Sequence, residues 1–102
     1  MKIPCRPLNG VDLNGKILVM DELNLRPDFR TVKNMVYRAT GGFGCSPNTM
    51  GRTVFTKEMF GDLDERWARD DFVGWMTDEE FQSYCLENNI VWELLSNENR
   101  SN

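Results

Sequence analysis

Histidine is absent from all 102 residues of this chain, and that absence removes more chemistry than any other feature of the sequence. Histidine is the side chain whose ordinary pKa lets its charge change between about pH 5 and 8. Without it the hydrolase triads, the His-containing zinc sites and most base-activated nucleophiles are excluded. Proton transfer near neutrality is left to perturbed carboxylates, cysteines or lysines. A two-carboxylate glycosidase passes that filter but needs a cleft that about a hundred residues rarely supply, so a non-enzymatic protein is expected. Cysteine is scarce and oddly placed: Cys5, Cys45 and Cys85 stand forty residues apart. That spacing has no metal-clamp logic, and three thiolates without a fourth ligand make a poor zinc site. Free thiols in a reducing compartment are expected, with Cys85 in the core, and neither a metal nor a cofactor. Long apolar runs are missing too: nothing approaches the roughly 18 apolar residues of a membrane span, and no apolar run follows the basic start. The expected protein is soluble and cytoplasmic, without a membrane partner.

What is present centres on Val36 to Thr56, VYRATGGFGCSPNTMGRTVFT. Val36, Tyr37 and Thr40, and later Thr53 to Thr56, are β-branched and aromatic residues that suit a half-buried pleated surface, so both flanks read as strands. Between them Gly41, Gly42, Gly44 and Gly51 disfavour any regular element, and Pro47 lacks a ladder donor; the spacing predicts a long irregular loop. Loops of that length in small domains are usually functional or mobile. A hairpin symmetric about Cys45 places Met35 beside Phe55, Val36 beside Val54 and Arg38 beside Arg52. Like charges facing each other across a ladder are unfavourable. Two readings follow: neutralisation by Asp70 and Asp71 or a different register, or an anion or nucleotide pocket built from Arg38, Arg52 and the N–H groups of Gly41, Gly42 and Gly44. Phe43 and Met50 are apolar groups at the loop surface, either folded over the sheet or serving as anchors for a protein partner. Two nucleotide motifs fail here: no Lys follows the glycines as a phosphate loop needs, and Gly42-Phe43-Gly44 leads to a strand, where the dinucleotide fingerprint opens a helix.

Elsewhere, Lys2 to Leu8 holds two prolines and is at most an edge strand or an extended lead-in. Lys16 to Met20 is the clearest buried strand. Glu65 to Trp75 reads as one further strand with a bulge or bend near Gly74, and Trp67 and Trp75 read as core in preference to a stacking platform. Asp62 and Asp64 resemble the opening of a calcium loop, but Val73 occupies the position that needs a bidentate carboxylate. Thr77-Asp78-Glu79-Glu80 is a capping box that starts a helix with an apolar stripe of Phe81, Tyr84, Cys85 and Leu86. Asn88-Asn89 is its stop, with Ile90 packing back. Ile90 to Leu95 is a closing strand or a second helical turn, the strand favoured. The whole predicts an α+β protein: a small curled, barrel-like antiparallel sheet of four to six strands with one C-terminal α-helix on it. Residues 1–95 form a single domain, and 96–102 a frayed polar tail.

Charge is uneven. Residues 1–56 carry eight Lys or Arg against four Asp or Glu, and residues 57–102 four against twelve. A concentrated acidic face steers a basic partner, and Asp78, Glu79 and Glu87 on the helix are its expected contacts. The sequence pI of about 4.8 argues against direct nucleic-acid binding, for which only the first half offers a basic surface, with Trp67 or Phe43 to stack. The two oppositely charged halves meet within one chain or across a homodimer.

The segment VYRATGGFGCSPNTMGRTVF followed by RWARDDFVGW resembles small uncharacterised proteins of bacterial phages and conjugative elements, over about Val36 to Glu80. The resemblance implies a context: short accessory proteins of mobile elements often bind and inhibit host machinery, including defence nucleases. The expected function is therefore a non-enzymatic protein-binding module, an inhibitor or regulator acting through the acidic surface and the glycine-rich loop. Anion binding at Arg38 and Arg52, and nucleic-acid binding by the basic half, are the alternatives.

Overall fold

Ile17–Met20 (β1) forms a strand whose four side chains are all buried, as an uninterrupted apolar run bounded by turn residues implies. The computed structural model describes residues 2–92. Around β1 the chain builds an antiparallel sheet from Val36–Gly41 (β2), Thr53–Glu58 (β3), Asp64–Ala68 (β4) and Phe72–Met76 (β5), in the order β4-β3-β2-β1-β5. One short helical turn, Val32–Met35 (α1), precedes β2, and one longer helix, Asp78–Glu87 (α2), follows β5. The architecture is α+β, with the C-terminal helix that the capping box announces.

The sheet must curl, because β4 and β5 are its opposite edges yet only the three residues Arg69–Asp71 connect them. Laid flat, four strand spacings amount to about 19 Å. Four Cα steps, from Ala68 to Phe72, reach at most about 14 Å. The aromatic contacts record the outcome. Trp67 of β4 lies 6.4 Å from Phe72 of β5, and Tyr37 of β2 touches both, at 5.6 and 6.0 Å between ring centroids. The edges approach without pairing, so the sheet is strongly curved but open, and the barrel expected from the sequence does not close. Arg38 projects from the opposite side of β2 to Tyr37, since successive side chains alternate. It reaches Asp78 in the first turn of α2, and Phe81 of α2 meets Phe60 beyond the end of β3 at 5.9 Å. The helix thus covers the sheet from outside.

At the β5 edge the N-terminal lead-in pairs through one bridge: Arg6 and Trp75 exchange two N–H···O bonds of 2.9 Å. Gly74 permits this approach, because a Cβ there would strike Cys5 and the Arg6 carbonyl. The lead-in also delivers Ile3, Leu8 and Leu13 to the core.

Several sequence expectations are corrected. The β2–β3 hairpin is not symmetric about Cys45: Tyr37 pairs with Glu58, Arg38 with Lys57, and Ala39 with Thr56, with a shift before Gly41. Relative to the symmetric register, the pairing moves by an odd number of residues, which exchanges the faces of one strand. Val54 and Thr56 therefore turn inward, and Phe55 is left 43 % exposed. Glu65 to Trp75 is not one strand but β4 and β5, divided by the Arg69–Asp71 turn. The irregularity expected near Gly74 does occur, with Val73 the extra residue opposite Val19 and Met20. Leu86 is not part of the buried stripe of α2; Phe81 and Cys85 are buried, and Leu86 faces solvent. Asn89 adopts the left-handed stop (φ 59°), and Ile90 N–H closes back on the Cys85 carbonyl at 2.8 Å. Ile90 to Trp92 form neither strand nor helix, while the remainder of the expected closing strand and the polar tail lie outside the described residues.

Candidate functional site

The glycine-rich loop is held from within by a residue that the sequence reading passed over. Arg69 is 1 % exposed. Its guanidinium donates to four backbone carbonyls: Gly44 and Ser46 in the loop at 2.8 Å each, and Leu8 and Val11 in the lead-in at 2.6 and 2.8 Å. Burial lowers its pKa from the usual arginine value. Both ion pairs among the described residues, Arg6–Glu80 and Arg38–Asp78, leave it aside, so four carbonyl dipoles, with a longer-range contribution from the Asp12 carboxylate, compensate this charge. Two further backbone bonds, Leu13 N–H to Cys45 O at 2.8 Å and Arg69 N–H to Arg52 O at 2.9 Å, complete the attachment. Gly44 is buried because a side chain there would meet the Arg52 carbonyl and Val54. The loop is a built structure, with a 3-10 turn at Phe43–Cys45.

This arrangement separates the proposed anion ligands. Arg38 donates to the Gly15 carbonyl at 3.0 Å and pairs with Asp78. Arg52 lies over the Phe43 ring, 5.2 Å from its centroid. The two arginines do not face each other, and Gly41, Gly42 and Gly44 serve the turn and its close contact with β3. Phe43 and Met50 are exposed, as expected of surface groups on this loop.

The helix residues Glu79 and Glu87 come together elsewhere, along a groove of about 480 Å³ between α2 and the lead-in. The capping box sets its upper end: Glu80 N–H donates to Thr77 Oγ1 at 3.1 Å, and Thr77 N–H donates to Glu80 Oε1 at 2.9 Å. Arg6 then crosses from the lead-in to Glu80, with Nη1 to Oε1 at 2.8 Å, while stacking over Trp75 at 5.0 Å. Lys16 lies over the same indole at 5.2 Å. Met76, Tyr84, Pro4 and Cys5 supply the apolar and sulfur-bearing part of the lining. Asp78 and Glu80 are therefore engaged in holding the helix to the sheet and lead-in, whereas Glu79 and Glu87 make no ion pair or side-chain hydrogen bond among the described residues. None of the loop residues Phe43, Met50 and Arg52 lines this groove.

A second hollow, of about 640 Å³, lies on the outer face of β3 and β4, lined by Phe55, Lys57, Asp64, Glu65 and Arg66 among others. Arg66 sits over the Phe55 ring at 5.5 Å. Trp67, the other aromatic considered for stacking, points inward against Tyr37 and Phe72.

Burial shifts several titratable groups. Burial raises the thiol pKa of Cys5, Cys45 and Cys85, which keeps them protonated and weakly nucleophilic. Burial, then the Glu65 and Glu58 carboxylates, push Tyr37 up to about 12. Glu65 is raised by burial and by Glu58. Among the described residues no group of three or more Cys, Asp or Glu is placed to hold a metal ion, and no helix is long and apolar enough to cross a membrane. Sequence reasoning missed Arg69, Cys5 and Tyr84 as members of these assemblies. Only the alternation that puts Arg69 in line with Trp67 hinted at a buried arginine. No family model matches the chain, and neither does any curated protein or solved structure compared with it.

Proposed function

We propose that this protein is a non-enzymatic protein-binding module whose contact surface is the groove between α2 and the lead-in, and that its partner presents a basic segment with apolar side chains. The observation that carries this reading is the division of labour among the helix carboxylates. Asp78 and Glu80 are consumed by Arg38 and Arg6, while Glu79 and Glu87 stand eight positions apart, about two helical turns, beside Met76 and Tyr84 with no cation of their own among the described residues. A Lys or Arg stem can lie on such a floor with its charged end at the carboxylates. Charge complementarity of this kind raises the association rate and gives salt sensitivity. Within this proposal the target is a host protein and the result its inhibition or regulation.

A fluorescent peptide of alternating Lys and Leu, followed by anisotropy at low and moderate salt, tests the placement. The Glu79→Gln/Glu87→Gln double variant should weaken binding about tenfold, on the order of 1.4 kcal/mol, and Phe43→Ala should leave it unchanged. Equal binding by wild type and the double variant would refute the groove as the contact surface.

A further inference from the structure

Outside that groove, two phenylalanines and two arginines form a second assembly on one face. Phe43 is 73 % exposed and Phe55 43 % exposed. Phe55 stands opposite Arg66 in the β3–β4 ladder, so both project from the same side, and its ring edge lies against Gly41 and Gly42, next to Phe43. Arg52 covers the Phe43 ring and Arg66 the Phe55 ring. The side chains of Arg6, Arg30, Arg38 and Arg69 all donate to carbonyls or carboxylates. Those of Arg26, Arg52 and Arg66 donate to nothing among the described residues, and of these only Arg52 and Arg66 lie over aromatic rings, with their N–H groups available beyond them.

We propose that this face binds single-stranded nucleic acid, with bases stacked against Phe43, Phe55 and their guanidinium planes, and phosphates held by Arg52 and Arg66. Unpaired bases present π-faces that stack on aromatic and guanidinium groups whatever their sequence, and guanidinium forks pair with phosphate. A duplex hides those faces, so a single strand is the occupant that uses all four side chains. Local charge permits it. The hollow beside Phe55 carries Lys57 and Arg66 against Asp64 and Glu65, and Arg52 over the Phe43 ring adds a further cation.

Anisotropy with fluorescein-labelled oligo-dT and oligo-U at low salt tests the proposal. Phe43→Ala/Phe55→Ala and Arg52→Gln/Arg66→Gln should each weaken binding about tenfold or more. Two phosphate contacts give a log–log salt slope of about −1.4 for a single strand, and the Gln pair should flatten it. Glu79→Gln/Glu87→Gln should not weaken binding, which separates this face from the groove. If the double Phe variant has a lowered thermal midpoint, Phe43→Ala alone replaces it, since that ring is mostly in solvent. Four results would overturn the proposal: no binding at low salt, loss with the Arg pair but not the Phe variants, equal affinity for the same sequence as duplex, or equal affinity for polyglutamate, which would mark an acidic protein as the occupant.

Discussion

Arg69 is a full charge taken out of water without an ion pair, tolerated because four carbonyl oxygens surround its guanidinium and the Asp12 carboxylate lies within electrostatic reach. Those oxygens belong to the lead-in and the glycine-rich loop, so the residue couples two segments that also meet through the Leu13 N–H to Cys45 O bond. Arg69→Met should cost about 3–5 kcal/mol, because it strands buried acceptors as well as removing the donor. Urea denaturation reads that loss, and an unchanged midpoint would show that the loop is held by other means. Arg69→Lys should recover only part of it, since an ammonium has three donors and cannot span the fork. Tyr37 offers a pH-dependent counterpart. Its folded pKa is raised to about 12 from the usual 10, so the neutral phenol is favoured in the native state. The unfolded chain ionises first as pH rises, and stability is lost between about pH 10 and 12, by roughly 3 kcal/mol if the shift is complete. Tyr37→Phe should lose the hydrogen bond to the Asn34 carbonyl yet remove this alkaline decline. Urea midpoints taken at pH 9 and above pH 11 compare the two proteins, and parallel declines would contradict the assignment.

Among the elements, α2 is the one whose start was written into consecutive residues. Thr77 and Glu80 satisfy each other's backbone donors, and Glu80 also receives Arg6. Thr77→Ala should therefore destabilise the protein by about 1 kcal/mol, within the usual range for a lost N-cap. Thermal unfolding measures it, and a Thr77→Asp variant, which restores an acceptor, should return most of the difference. The strands were less legible. β1 shows itself as a short apolar run and β2 as a β-branched one, but the β2–β3 register depends on which residues find buried partners. Phe55 looked like a core residue by type and lies outside, while Thr56 looked indifferent and is 1 % exposed with its hydroxyl bonded to the Glu65 carbonyl at 3.1 Å. The turn at Arg69–Asp71 was equally hidden. No Gly or Pro marks it, and the Asp71 carboxylate makes it locally by accepting from Ala68 N–H at 2.8 Å.

At the scale of the whole molecule, curvature determines what becomes a surface. Joining the two edges of the sheet through three residues turns Trp67 inward against Tyr37 and Phe72, and leaves the outer face of β3 and β4 beyond the cover of α2. That face carries Phe55 and Arg66 beside the Phe43 loop, and the other edge carries the acidic groove. The residues lining each assembly come from distant parts of the chain. Pro4 and Cys5 meet Tyr84 and Glu87, and Arg52 meets Phe43 while Arg66 meets Phe55. The missing histidines, the capping box, the buried first strand, the irregular loop and the charge asymmetry were all determined by the sequence alone, because each depends on residue type or on neighbours a few positions away. Only the tertiary structure decided the hairpin register, the burial of Arg69, the separation of Arg38 from Arg52 and the pairing of Phe43 and Phe55 with an arginine each. Those outcomes follow from how a strongly curved sheet closes over one small core, and contacts between residues tens of positions apart leave no local pattern to read.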